Sequence, residues 1–127
     1  MRLLLVAEDD PDTRIALTGL LSEHGYSVCD AADGPRALEK VRSLRPDLIL
    51  LDYGLPAPKD GEDFLRAKAA EADIATIPVI VLSGYELPEE LGGTVAVMRK
   101  PFNFDRLLAL IRSIIGPPQN ATANHAT

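Results

Sequence analysis

The apolar and polar residues divide the chain into short apolar runs that alternate with longer amphipathic segments. Five runs predict strands, at residues 3–7, 26–31, 47–52, 79–82 and 95–98. The central run, Leu-Ile-Leu-Leu at 48–51, shows no polar alternation, which is typical of a strand that is covered on both faces in a parallel sheet. The pattern therefore predicts a layered protein with a buried central sheet.

Start and stop signals place helices between these strands. Asp10 and Pro11 begin the first helix, because Asp is a good N-cap and Pro suits the first helical position, and Gly25 ends it. Similar signals predict helices from Asp33 to the residue before Pro46, at about 62–72, and at 104–115. Residues 54–61 contain so many turn formers that they predict a loop.

Helical spacing predicts which residues of each helix face the sheet. In the first helix they are Thr13, Ala16, Leu17, Leu20 and Leu21. In the third helix they are Phe64, Leu65, Ala69 and Ala72. In the last helix they are Phe104, Leu107, Leu108, Ile111 and Ile115. Leu110 and Ile114 widen this last stripe, which indicates either deeper burial of the helix or a partner surface such as a homodimer interface.

Strands that alternate with helices form βαβ units, whose right-handed crossovers predict a parallel sheet. We therefore expect an α/β fold with a doubly wound, five-stranded parallel sheet of order 2-1-3-4-5 and helices on both faces, as in flavodoxin-like proteins. The domain is expected to span residues 1–116. Residues 117–127 are expected to form a disordered polar tail, because 119–127 contain no large apolar side chain.

Composition narrows the possible partners and the compartment. The net charge of -6 over 127 residues argues against binding to nucleic acid or to an anionic membrane. No apolar run approaches the length that crosses a bilayer. The single Cys29 cannot form an internal disulfide, which predicts a reducing, cytoplasmic setting.

Polar residues follow four of the predicted strands. Glu8 and Asp9 follow the first, Asp52 ends the third, Ser83 follows the fourth and Lys100 follows the fifth. In the order 2-1-3-4-5 the first and third strands are neighbours, so the three carboxylates are expected to share one crevice. They repel one another unless a cation lies between them, and Mg²⁺ is the expected ion because it prefers oxygen ligands.

This set of groups suits attack on phosphorus. Phosphoryl transfer is catalysed by positioned cations and donors that stabilise charge on the phosphoryl oxygens. Asp52 is the expected nucleophile, which forms an aspartyl phosphate. Mg²⁺ and the Lys100 ammonium neutralise the phosphoryl oxygens, and Ser83 donates a hydrogen bond to them.

The residues resemble the receiver domains of bacterial two-component response regulators, the CheY-like family. The resemblance covers roughly residues 2–115. The matching motifs are Glu8-Asp9, the loop from Asp52 to Pro56 with the later Asp60-Gly61, Ser83, and Lys100-Pro101. Each element is weak evidence by itself, but all four occur in order and each follows a strand.

The resemblance implies a role for each site residue. Asp9 and Asp52 correspond to direct ligands of the metal, Glu8 to an acid that often acts through water, and Gly54 to the residue whose carbonyl completes the metal shell. Asp52 corresponds to the phosphoacceptor.

Ser83 corresponds to the switch hydroxyl, and Lys100 to the lysine that pairs with the phosphoryl group. The expected donor is a sensor histidine kinase or a histidine phosphotransfer protein, and the expected target is a downstream protein. Such a domain is a phosphoacceptor and not a turnover enzyme.

Three departures from the family pattern leave alternatives open. The segment between Ser83 and Lys100 is several residues short, so the fourth helix of the family is expected to be shortened or irregular. Val97 stands where an aromatic residue is usual, and residues 56–61 include one extra residue. A pseudo-receiver, which signals through protein contacts without phosphorylation, is therefore the main alternative. A phosphatase is disfavoured, because Gly54 stands where such enzymes have a second acid.

Overall fold

Five parallel strands form a single sheet of order β2-β1-β3-β4-β5, as the sequence predicts. The structure is a computed structural model that describes residues 2–54, 58–84 and 94–118, with only the main chain at 58, 94 and 95. The strands are β1 (Leu3–Ala7), β2 (Ser27–Ala31), β3 (Leu48–Asp52), β4 (Val79–Ser83) and β5 (Thr94–Arg99). Because all five strands are parallel, their carboxyl ends lie on one edge of the sheet.

Five helices occur in the described part of the chain. They are α1 (Pro11–Glu23), α2 (Gly34–Leu44), α3 (Pro58–Ala69), α4 (Ala72–Ala75) and α5 (Phe104–Ile115). The predicted N-cap of α1 is confirmed, and α2 and α5 begin in the same way: the side chains of Asp10, Asp33 and Asn103 each accept a hydrogen bond from the backbone N–H three residues later. None of these helices is long and apolar enough to cross a membrane.

Both faces of the sheet are covered. One cluster of buried residues includes apolar side chains of α2 and α3, and the other includes those of α1 and α5. Every residue of β3 and β4 is buried. Neighbours along a strand point to opposite faces, so Ile49 belongs to the first cluster and Leu50 to the second. This explains the lack of polar alternation in the central strand.

The buried stripe of α1 is narrower than predicted. Leu17 and Leu21, one turn apart, are buried, whereas Ala16 is exposed and Leu20 is 38% exposed. The line of contact with the sheet passes through Leu17 and Leu21, so a residue at position 20 lies at its margin. The prediction that Leu20 and Ala16 face the sheet is therefore wrong.

The third predicted helix is also wrong in its bounds. Helix α3 begins at Pro58 instead of 62 and ends at Ala69, and α4 follows as a separate short helix. Gly61 permits this early start, because the first turn packs directly on the chain after β3 and a Cβ at position 61 would lie 2.3 Å from the Tyr53 carbonyl oxygen. Ala69 and Ala72, predicted to face inwards, are both exposed.

Parts of the predicted structure lie outside the described residues. The shortened or irregular fourth helix that is expected between Ser83 and Lys100 falls mainly on 85–93. Of the polar tail that was predicted to be disordered over 117–127, residues 119–127 also lie outside the described part of the chain. On α5, Leu110 and Ile114 are half-buried and pack against the second core cluster, which favours the deeper-burial interpretation of the widened stripe.

The first and last described residues meet at the edge where the strands begin. The Ser27 N–H donates to the Arg2 carbonyl at 3.0 Å, and the Tyr26 hydroxyl donates to the Gly116 carbonyl at 3.0 Å. Pro118 is buried there, and a Cβ on Gly25, which has a φ of +96°, would lie 3.1 Å from the Pro118 Cβ. These contacts fasten the end of α5 to the start of β2.

Candidate functional site

Three carboxylates meet at the carboxyl edge of the sheet. Glu8 and Asp9 follow β1, and Asp52 is the last residue of the neighbouring β3, whose Leu51 pairs with Ala7. Carboxylate oxygens of Glu8, Asp9 and Asp52 all lie within 4.8 Å of one another. Glu8 and Asp52 are buried, whereas Asp9 is exposed. The predicted clustering of the three acids is thus confirmed.

Lys100 joins this cluster from β5. Its ammonium lies 3.3 Å from Asp52 Oδ1 and 3.4 Å from Glu8 Oε1. Its backbone N–H donates to the Ser83 carbonyl at 2.7 Å, which extends the β4–β5 pairing to the site. The Lys100–Pro101 peptide bond is cis. The structure therefore brings residues that are 48 and 92 positions away from Lys100 to its side chain.

The pKa values of Glu8 and Lys100 follow from this geometry. Burial first, and then the hydrogen bond and the negative charge of Asp52, together raise the pKa of Glu8 to about 8 against the opposing effect of Lys100. Burial acts to lower the pKa of Lys100, but the Asp52 and Glu8 carboxylates outweigh it and raise the pKa. In the metal-free site Glu8 therefore loses its proton at a higher pH than an ordinary glutamate, whereas Lys100 stays charged.

The two residues after Asp52 make backbone hydrogen bonds. The Gly54 N–H donates to Asp52 Oδ1 at 3.3 Å, and the Tyr53 N–H donates to the Leu82 carbonyl at 3.0 Å. Gly54 is buried beside the carboxylate. Its role as a carbonyl ligand of a metal stays a prediction, since the contact observed is made by its N–H.

Ser83 and Val97 lie on neighbouring strands. Ser83 ends β4 and is fully buried beside the main chain of Lys100. Val97 of β5 pairs with Val81 and is 45% exposed. The structure places Ser83 at the predicted edge, at the same end of the sheet as the carboxylates.

Arg14 also reaches the site, although no sequence pattern singled it out. Its Nη1 donates to the Glu8 carbonyl at 2.8 Å and lies 3.5 Å from the Asp9 carbonyl. Its Nε lies 3.5 Å from Asp30 Oδ2 at the end of β2. The only available signal was its place in the first turn of the helix that follows the acidic loop.

The donor set determines which ion the site suits. All three acidic side chains offer oxygen atoms, and no His or Cys belongs to the cluster found in the described residues. Oxygen donors of this kind suit a hard divalent cation such as Mg²⁺, which is held through one or two carboxylates and keeps positions for water and phosphate oxygens. Binding of such an ion would favour ionised Glu8 and release its proton. The residues present therefore fit a divalent metal.

Comparison with known proteins agrees with this arrangement. A family model described as "Response regulator receiver domain" matches residues 4–112. Protein Rrf1 of Nitratidesulfovibrio vulgaris is 32% identical over 109 residues, which cover 85% of this chain and 78% of Rrf1. The DNA-binding response regulator MtrA of Mycolicibacterium smegmatis is 36% identical over 116 residues, which cover 87% of this chain but 49% of MtrA. The chain thus spans about half the length of MtrA.

A solved structure gives the same picture. The receiver domain of the sensor histidine kinase PA1611 from Pseudomonas aeruginosa has a TM-score of 0.81 and 28% identity, with 91% of this chain and 98% of that chain covered. In that protein a magnesium ion is coordinated in the active-site cleft. From the family match, the relatives and the fold, we conclude that this chain belongs to the response regulator receiver domains of two-component systems.

Proposed function

We propose that this receiver domain accepts a phosphoryl group on Asp52 in a Mg²⁺-dependent reaction. The observation that supports the proposal most directly is the position of the Lys100 ammonium, 3.3 Å from Asp52 Oδ1 and 3.4 Å from Glu8 Oε1 at the edge of the carboxylate cluster. A fixed cation beside the nucleophilic oxygen is the arrangement that stabilises charge in phosphoryl transfer.

Each residue has a part in the proposed reaction. An Asp52 carboxylate oxygen attacks the phosphorus of a phosphohistidine, the P–N bond breaks, and the imidazole leaves. Lys100 neutralises one phosphoryl oxygen, and the Ser83 hydroxyl donates a hydrogen bond to another. Asp9, Asp52 and Glu8 would hold the metal with the Gly54 carbonyl. When bound, Mg²⁺ would neutralise part of the negative charge on the phosphoryl oxygens.

The expected phosphodonor is a sensor histidine kinase or a histidine phosphotransfer protein in the cytoplasm. The domain is proposed to act as a stoichiometric acceptor and not as a turnover enzyme, since Gly54 stands where a second acid would be needed to hydrolyse an external ester. The phosphoryl group then biases a two-state surface that a downstream protein recognises. The presence of the acids, the hydroxyl and the lysine does not favour a pseudo-receiver that signals without phosphorylation.

Intact-mass spectrometry after incubation with phosphoramidate tests the proposal. The parent chain is expected to gain one phosphoryl group with Mg²⁺ and none in the presence of a chelator. Asp52→Asn is expected to gain none. Asp73→Asn is the matched control, because Asp73 is 77% exposed and pairs with Arg45 away from the site. The proposal is wrong if the parent chain forms no Mg²⁺-dependent adduct and also fails to bind beryllofluoride, a phosphoryl mimic, with Mg²⁺.

A further inference from the structure

The loop that contains Glu8 and Asp9 is held through its main chain by one arginine. Arg14 Nη1 donates to the Glu8 carbonyl at 2.8 Å and lies 3.5 Å from the Asp9 carbonyl. The Arg14 side chain is only 20% exposed. Both carbonyls belong to residues whose carboxylates join the metal-binding cluster. The guanidinium therefore contacts the backbone of both acids in the loop.

Arg14 is itself fixed from the opposite side. Its Nε lies 3.5 Å from Asp30 Oδ2, and Asp30 Oδ1 lies 3.8 Å from Lys40 Nζ on α2. Lys40 also donates to the Asp30 carbonyl. The Glu8 N–H meanwhile donates to the Ala31 carbonyl at 3.0 Å. The acidic loop is thus connected to the end of β2 by its own main chain and by the Arg14–Asp30 pair.

We propose that Arg14 is a positioning residue for the metal site, which orients Glu8 and Asp9 by holding their peptide groups against Asp30. The inference rests on the metal binding in the proposed function. A planar guanidinium donates in fixed directions, so it restrains the rotation of the peptide groups that it contacts. Side-chain direction follows the backbone, so the two carboxylates are restrained toward Asp52 before a cation arrives.

The sign of the effect separates positioning from simple electrostatics. Arg14 is a cation near a site for a divalent cation, so its charge alone opposes metal binding. Loss of that charge would tighten binding if Arg14 had no other effect. If Arg14 positions the acids, its loss weakens binding although one repulsive charge is removed.

Mn²⁺ binding to the full chain, followed by electron paramagnetic resonance, measures this sign. Arg14→Gln is expected to weaken Mn²⁺ binding about tenfold and to change the spectrum of the bound ion, as loss of an outer-shell partner does at other metal sites. Arg14→Lys keeps the charge but loses the planar fork, so an intermediate weakening is expected. Arg36→Gln is the matched control, because Arg36 is 72% exposed and its ion pair is with Asp33. Its affinity is expected to stay within about twofold of the parent.

Each alternative outcome has a distinct meaning. Unchanged or tighter Mn²⁺ binding by Arg14→Gln overturns the inference and leaves the proposed function intact. Equal weakening by Arg36→Gln also overturns it. Absence of Mn²⁺ binding by the parent chain overturns the metal site and the inference together. If circular dichroism shows that Arg14→Gln is unfolded, Arg14→Lys decides, and parent-like affinity in that variant contradicts positioning.

Discussion

Lys100 is partly buried and Lys68 is fully buried, but the two lysines differ in the charged groups around them. Lys100 is 32% exposed and lies between two carboxylates, which raise its pKa although burial acts to lower it. Lys68 is 1% exposed, and burial lowers its pKa. Its Nζ donates to the Ala75 carbonyl at 2.8 Å, and no ion pair joins it to a carboxylate of the described residues.

The comparison shows that burial of an ionisable group does not by itself mark a functional site. Lys68 lies one turn after Phe64 on the buried face of α3, at a position that packs like an apolar core residue. Its amine serves one carbonyl at the end of α4. Lys100 is distinguished by opposite charges within hydrogen-bonding reach, which keep its own charge available to a substrate. The charged neighbours of a buried ionisable group therefore indicate its function better than its degree of burial does.

The largest expected effect comes from removing the site lysine. Lys100→Met is expected to slow phosphorylation by phosphoramidate about 100-fold, because the cation that stabilises the transferring group is lost. Lys68→Met is expected to leave the rate unchanged. A time course by intact mass measures both rates. A parent-like rate in Lys100→Met would show that Lys100 only balances the charge of Glu8 and Asp52.

The next effect concerns Glu8, the carboxyl group beside Lys100. Its folded pKa of about 8 exceeds its ordinary value of 4.5, so between these pH values the folded protein binds more protons than the unfolded chain. The free energy of unfolding of the metal-free protein is therefore expected to fall as pH rises through this window, by at most about 1.4 kcal/mol per pH unit from this group. Saturating Mg²⁺ should oppose the fall, because it binds the ionised form.

Urea unfolding at a series of pH values measures this dependence. Glu8→Gln cannot ionise and is expected to lose this part of the slope. If the parent and Glu8→Gln give parallel profiles between pH 4.5 and 8 without metal, the raised pKa of Glu8 is contradicted.

The smallest effect concerns Lys68. Lys68→Met is expected to raise the free energy of unfolding at neutral pH by about 1 kcal/mol, because a poorly compensated buried amine is replaced by an apolar side chain of similar length. The gain is limited because the Ala75 carbonyl loses its donor. Lys59→Met is the control, with a change within about 0.5 kcal/mol, since Lys59 is 84% exposed. Destabilisation by Lys68→Met would mean that its hydrogen bond outweighs its burial.

The contact between Lys100 and Asp52 was predictable because it depends on strand order. Apolar runs define the strands, crossover handedness gives the order, and parallel strands bring their carboxyl ends to one edge. Each of these steps uses a strong local pattern in the sequence. The clustering of Glu8, Asp9 and Asp52 followed for the same reason.

The burial of Lys68 and the contact of Arg14 were not predictable by the same means. Lysine is rarely fully buried, so the residue type predicts an exposed side chain at position 68. Lys68 is instead buried where α4 packs against α3. The early start of α3 involves a close contact between Gly61 and Tyr53, whereas the many turn formers at 54–61 predicted a loop there. Arg14 reaches the acidic loop because its side chain folds back along the first turn of α1. All three depend on tertiary packing that residue type and spacing do not encode.

The contacts of Gly25 with Pro118 and of Ser27 with Arg2 have a practical consequence. Both lie at the edge where the strands begin, and the carboxylate cluster lies where they end. A fluorescent label or a biosensor surface attached near Arg2 or near Pro118 would therefore lie at the opposite edge of the sheet from Asp52. Binding of a kinase or a phosphoryl mimic can then be recorded in either orientation of attachment, and agreement between the two orientations provides an internal control.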